Sequence, residues 1–371
     1  MSKLNNDVRQ IFEQTLNGGV ITTGNTCVVV GSINNKVREY IRAIQDPVPY
    51  TAVWDSMGSS AYLDIPEGST IEYAVLEWHS TVANYILGRT MSAQYTPIYF
   101  TTPIETVRVS IETESSDEAI FTDGVSNKQS TKWADVTDII KKGGMGFYSI
   151  KGIPTVEIVN QYWRLSNHDQ APGWSLTVVY RNSSSPLRNI NIFIGLKQHT
   201  YSTTNEFNTL SISGFTIPQI PKNAYLIMVA SNGDPDMYAR VNVYSDLSLV
   251  NKNDLQYAIG NTVDSSSKDP KVGSIMPYDN LFSGIIMDTN TESANYGQID
   301  TRGLFGQKNN SVFDILNQPK FEGNRGKMDI LAFDISEKMI PDQQNLYLRI
   351  DLSKAPSARV QMITYATQID L

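Results

Sequence analysis

Cysteine is almost missing from this chain. Cys27 is the only one in 371 residues, so no disulfide framework can form within one copy. It sits in the apolar run CVVV, where a small buried thiol is the expected reading rather than a nucleophile. Histidine is nearly as scarce: the chain has 3, His79, His168 and His199, too scattered for a sequence-local metal site. No run approaches the roughly 20 apolar residues that a membrane-spanning helix needs. The start, MSKLNNDVRQIFEQTLNGG, lacks the basic, apolar and small-residue order of a secretory signal. The expectation is a chain made in the cytosol, without membrane insertion, that reaches any external surface by release or deposition. Positive charge is also short. The 30 Lys and Arg against 38 Asp and Glu give a net charge of −8, which repels a phosphate backbone and argues against nucleic acid as a partner.

What is present is enough apolar material for sizeable cores, at 40% of residues, in a length that suits two domains. Val8, Ile11, Phe12 and Leu16 fall near helical spacing, and Asn17-Gly18-Gly19 is a plausible stop. This predicts a short N-terminal helix within residues 1–19, suited to docking or oligomerisation. From Val20 onward the pattern becomes short β-rich runs broken by Gly, Pro, Asn, Asp and Ser. Trp174, Leu176, Val178 and Tyr180 alternate with Ser175, Thr177, Val179 and Arg181. After the turn Asn182 to Pro186, Ile190, Ile192 and Ile194 again line one face. Two antiparallel strands joined by a polar loop are expected, inside a larger sheet. Further strands are expected at Thr70 to Trp78, Thr106 to Glu112, Tyr148 to Ile158, Thr209 to Phe215, Ala224 to Ala230, Ala239 to Tyr244, Leu346 to Leu352 and Arg359 to Tyr365. A helical turn is expected at Val136 to Lys142, capped by Asp135 or Thr137 and ended by Gly143-Gly144.

An internal repeat runs through this pattern. Ile65-Pro66, IEYAVLEW, WADVTDII, GWSLTVVY and NINIFIG in the first half correspond in order to Ile220-Pro221, AYLIMVA, MDILAFDIS, NLYLRIDL and ARVQMITY in the second. The fold class expected is all-β: two tandem jelly-roll-like β-sandwiches, residues 20–202 and 203–371, behind the helix.

Chemistry is harder to find. H-E-x-x-H, paired Cys-x-x-Cys and G-x-S-x-G motifs are all missing, and the cluster Gly143-Gly144-Met145-Gly146 reads as a turn. Glu72 and Glu77 bracket one strand five residues apart, so they point to opposite faces and cannot pair as acid and base. The expectation is no catalytic residue. Two ligand sites are candidates. Asp234 and Asp236, in the turn SNGDPD, offer clustered oxygens to calcium, although Asp-Pro also has a purely conformational reading. Tyr162-Trp163 lies in a less regular region and is the candidate exposed platform for a glycan, whereas Trp78 and Trp174 are expected in the core.

The segments GSTIEYAVLEW, FTTPIETVRV, WADVTDIIKKGGMGFYSI, APGWSLTVVYRNSSSPLRNINIFIGL, LSISGFTIP and YGQIDTRGLFG resemble, in the same order, the N-terminal region of large surface proteins of spore-forming bacilli and clostridia, which continue into repeated β-domains. The resemblance implies a non-catalytic structural or adhesive role at a bacterial cell or spore surface, with no cofactor other than the candidate calcium. This chain ends at Leu371 without such repeats or a sorting signal, which favours self-association, or capture by other surface proteins, over wall anchoring. A carbohydrate-binding or lectin-like sandwich is the alternative.

Overall fold

A computed structural model describes residues 8–33, 37–42, 58–86, 89–92, 97–110, 116–122, 127–153, 172–200, 208–214, 222–231, 239–250, 259, 281–282, 285–298, 300, 302, 328–352 and 357–369. The strands are β1 (Arg9–Thr26), β2 (Val28–Ile33), β3 (Val37–Arg42), β4 (Gly58–Leu63), β5 (Thr70–Ile86), β6 (Arg89–Ser92), β7 (Ile98–Thr101), β8 (Thr106–Val109), β9 (Ser116–Thr122) and β10 (Asn127–Asp135). After helix α1 (Thr137–Gly143) follow β11 (Gly146–Lys151), β12 (Gly173–Arg181), β13 (Leu187–Thr200), β14 (Asn208–Ser213), β15 (Lys222–Ser231), β16 (Ala239–Tyr244), β17 (Met328–Asp334), β18 (Asn345–Leu352) and β19 (Ser357–Gln368). All their pairings are antiparallel. The protein is therefore mostly β. Among the described residues no helix is long and apolar enough to cross a membrane.

Of the residues expected to form the N-terminal helix, 9–19 belong instead to β1, Val8 precedes that strand, and 1–7 lie outside the described residues. The misleading spacing comes from a bulge. The register with β13 shifts between Gln10 and Phe12, and Ile11 and Phe12 both pack against the same cluster, which imitates helical periodicity. β1 then does two jobs: Arg9 to Asn17 pair with β13, and Gly18 to Thr26 pair with β12. The strands β12 and β13, expected to pair with each other, follow one another along β1 instead, with residues 182–186 looped out between them. A Cβ on Gly18 would lie 1.9 Å from the Tyr180 carbonyl oxygen, so only glycine permits this approach.

Read along one sheet, the order is β1-β12-β5-β10 in the first half and β13-β19-β15-β17 in the second. The smaller sheets run β4-β11-β7-β8 and β14-β18-β16. Taken in chain order, the series β1, β4, β5, β7, β10, β11, β12 occupies the same places as β13, β14, β15, β16, β17, β18, β19. The match extends to single hydrogen bonds at one corner. Val136 N–H donates to the Ala74 carbonyl at 2.9 Å, and Ile335 N–H to the Ala224 carbonyl at 2.8 Å. Ala74 N–H donates to Thr137 Oγ1 and Ala224 N–H to Ser336 Oγ, both at 2.9 Å. Asp135 accepts from Thr137 N–H at 2.8 Å and Asp334 from Ser336 N–H at 2.9 Å. The helical turn expected at Val136 to Lys142 is α1, following Asp135 and stopped at Gly144 with φ 65°.

Four layers result. Leu76, Trp78, Trp174 and Leu176 pack with Phe100, Tyr148 and Ile150 of the first small sheet. The opposite face of that part of the sheet, with Val20, Val75 and Val179, meets Ile190, Ile192, Ile194, Ile227 and Ile330 of the other half of the same ten-stranded sheet, which β1 joins to it. Leu226, Met228 and Phe333 face outward again onto Leu210, Leu346 and Leu348. This explains why AYLIMVA is apolar throughout: β15 is buried on both faces.

Candidate functional site

The first small sheet turns one face inward and leaves the other to solvent, and the alternation along each strand decides which residues are offered. On β11, Tyr148 and Ile150 are buried, while Phe147 and Lys151 are exposed. Outward positions on the four strands are Ser60, Tyr62, Phe147, Ser149, Lys151, Tyr99, Thr101, Thr106 and Arg108. Tyr62 lies opposite Phe147 in register, with ring centroids 5.0 Å apart at 72°. The Arg108 guanidinium sits 5.9 Å from the Tyr99 ring centroid. Among the described residues the exposed large apolar side chains are Tyr99, Ile104, Met145, Phe147 and Ile340. All but Ile340 belong to this sheet or its rim.

Beside this face lies a groove of about 1000 Å³. Its walls are the turn from β4 to β5 (Asp64 to Thr70), the end of α1 (Lys141, Gly144, Met145) and a turn contributed by the second half (Asn290, Glu292, Ser293). That turn is folded by its own side chains. Asp288 accepts from Asn290 N–H at 3.0 Å, Asn290 from Glu292 N–H at 3.0 Å, and Ser293 Oγ donates to Asp288 at 2.7 Å. It is tied across the first half through Thr289, which accepts from Thr22 N–H at 2.7 Å and donates to the Thr22 carbonyl at 2.9 Å. Glu292 meets Arg188 at 3.1 Å.

Arg302 completes the strap. It reaches Asp64 at 2.7 Å, Asp300 at 2.9 Å and Asp288 at 3.4 Å, and covers the Tyr62 ring at 5.2 Å. Burial works against its charge, but the hydrogen bonds and charges of Asp300, Asp64 and Asp288 outweigh it and hold the guanidinium above its ordinary value. The groove thus presents carboxylate and amide oxygens above a floor of Ile65, Pro66 and Ile71, which suits hydrogen-bond donors carried on a partly apolar body.

A second polar group is deeply buried between the two halves of the large sheet. Ser175 Oγ donates to Glu77 at 3.0 Å, and His79 Nδ1 lies 2.8 Å from the other Glu77 oxygen. The carboxylate stands in the middle, so the order is not that of a nucleophile activated by a histidine. His79 lies within β5 and not at a strand end as its sequence position suggested. Glu72 points elsewhere, to Arg181 at 3.3 Å and Gln14 at 3.0 Å, so the two glutamates are apart as expected. Cys27 is buried, and desolvation pushes its thiol up to about 12, against a weaker opposite effect of the Ser59 hydrogen bond. Trp78 and Trp174 are buried as expected.

Asp234 and Asp236, and Tyr162 and Trp163, lie outside the described residues. Among the described residues no group of three or more His, Cys, Asp or Glu is arranged to hold a metal ion. Sequence reasoning missed the Tyr62, Phe147 and Tyr99 face, although GFYSIK and IYFT each put an aromatic residue on the polar side of a strand. It also missed the strap, whose partners are far apart in sequence. Comparisons with protein-family models, curated proteins and solved structures find no match.

Proposed function

We propose that the chain is a non-catalytic structural protein of a bacterial cell or spore surface, built from two jelly rolls in tandem and assembling with copies of itself. The observation that carries the reading is the repeated strand order, with the two halves of the large sheet packed against each other and tied by the Thr22–Thr289 and Arg302 contacts. The orders β1-β12-β5-β10, within the ten-stranded sheet, and β4-β11-β7-β8 suit an eight-stranded jelly roll, an architecture found in capsid and lectin domains. That link to function is an analogy of fold. The surface location rests on the resemblance carried by GWSLTVVY and PLRNINIFIG.

Electron microscopy of the purified chain over a concentration series, with and without calcium, tests the proposal. Ordered filaments, sheets or crystals are expected; a persistent monomer at every concentration would sink it. A carbohydrate-binding module is the second reading, favoured by the outward rings of Tyr62, Tyr99 and Phe147 alternating with Ser and Thr hydroxyls. Binding to a neutral glycan panel that Tyr99→Ala abolishes would move the weight there.

A further inference from the structure

The two small sheets have equivalent strand orders but differ in what covers them. On the second, the outward residues Arg349, Asn242 and Tyr244 are buried. The chain leaving β16 turns through Asp246, which accepts from Ser248 N–H at 2.8 Å, and comes back over β18. There Arg349 donates to the Val250 carbonyl at 2.9 Å. On the first small sheet no described residue covers the corresponding central strand: Phe147 is 50% exposed, and at the rim Met145 is 54% and Ile104 62% exposed. Aromatic residues, Met and Arg are the types enriched in protein interfaces, and clustered exposure of this kind marks contact surfaces.

Charge selects the occupant. The outward positions of β4, β11, β7 and β8 include Arg108 and Lys151 but no Asp or Glu, on a chain whose net charge is −8. A hollow of about 430 Å³ opens at the start of α1, lined by Glu72, Asp135 and Asp138 with no Lys or Arg among its lining residues. Glu72 is already paired with Arg181 at 3.3 Å, whereas the Asp138 side chain is 92% exposed and meets Lys141 only at 3.9 Å.

We propose that the bare outer face of the first small sheet, centred on Phe147 with Arg108 and Lys151, is seated on the acidic hollow around Asp138 of a second copy of this chain. The inference rests on the self-assembly reading and names its contact. Two different patches meet, so the contact is head-to-tail and adds copies without closing unless a rotation happens to complete a ring. Apolar burial holds the contact, while the Lys and Arg charges set its direction and make it weaken with salt.

Sedimentation velocity of the full chain over a concentration series provides the test. Thermal melts keep the comparison honest, because Phe147, Lys151 and Asp138 are solvent-exposed and their variants should fold normally. Wild type is expected to associate, less so at high salt. Phe147→Glu, Lys151→Glu and Asp138→Lys should each weaken association at least tenfold, and the double variant Lys151→Glu/Asp138→Lys should recover most of it. A wild type that associates as well as its folded Phe147→Glu and Lys151→Glu variants overturns this face but leaves self-assembly standing. A double variant as weak as either single one overturns the head-to-tail pairing. A wild type that stays monomeric, or that instead retains a polysaccharide through this face, overturns both the contact and the self-assembly reading.

Discussion

The outer face of the second small sheet is covered along β16 and β18 by the chain's own return, leaving Ser211 and Ser213 of β14 exposed, while among the described residues the outer face of the first is left to solvent. The same strand order underlies both, so the backbone plan does not decide which surface is finished. Side chains and loops do. Aligned on the shared corner at Ala74 and Ala224, the two halves differ inside as well. Glu77 and His79 in β5 stand where Ile227 and Val229 stand in β15. At these two places the first half is polar where the second is apolar, so the shared strand order tolerates either chemistry.

The strongest way to break the comparison is to remove what joins the halves. Gly18→Val forces a side chain into the Tyr180 carbonyl and should destabilise the whole chain by more than about 4 kcal/mol, the exceptional end of single substitutions. Loss of a single cooperative transition in denaturant would report it. An unchanged midpoint would show that β1 does not need its close approach.

Next, the covered and bare faces can be set against each other. Arg349→Ala leaves Asp351 and the Val250 carbonyl without their buried guanidinium, which lies 2.8 Å and 2.9 Å from them. It should cost about 2–4 kcal/mol. Lys151→Ala, on the bare face, should stay within about 0.5 kcal/mol in a monomeric sample. Equal effects in urea titrations would erase the distinction between the faces.

Smaller again is the strap. Arg302→Met keeps much of the apolar stem over Tyr62 but gives up the charge that Asp64, Asp288 and Asp300 surround, for an expected loss of about 1–2 kcal/mol. Hydrogen exchange should then rise first at Thr22, whose amide donates to the Thr289 hydroxyl only while the turn stays docked.

The smallest effect concerns acid. Glu72 has its carboxyl held below the ordinary range by hydrogen bonds from Gln14 and Arg181, whereas Lys222 occupies the corresponding place in β15. A lowered folded value means stability that is present above the unfolded carboxylate range and is lost as pH falls through the folded value. Glu72→Gln should therefore lower stability slightly near pH 7 and make the acid limb shallower, with the two curves converging as pH falls through the folded value. Lys222→Gln should leave that limb as it was.

Much of the strand content was legible, because local alternation is a property of short segments. Ala239 to Tyr244 and Thr70 to Trp78 could be read directly from sequence, and so could the match of IEYAVLEW with AYLIMVA and of WADVTDII with MDILAFDIS. The last two matches of the repeat are corrected by the fold, where GWSLTVVY stands in the place of ARVQMITY, NLYLRIDL in the place of β11, and NINIFIG opens the second series in the place of β1. The beginning of β1 could not. A single bulge at Gln10 to Phe12 gave neighbouring side chains the same face, and sequence spacing alone cannot separate that from a helix. The relation of β12 to β13 was hidden for another reason: a short polar loop between two strands ordinarily means a hairpin, and nothing local says that a strand more than 150 residues earlier takes both as partners. In the candidate site, the odd aromatic residues on polar strand faces were visible letters. The Arg302 strap depends on Asp64 meeting residues near 288–302 across the fold, which no periodicity reveals.

The way β1 is shared also orders events in time. Its residues are made well before their partners, Gly173 to Arg181 and Leu187 onward, and β13 in turn waits for β19. Contacts of such long sequence separation fold slowly. During that interval β1 is an unpaired strand, exposed to capture by other chains. β1 is therefore synthesised before every strand that completes it, and its pairing is finished only when they arrive.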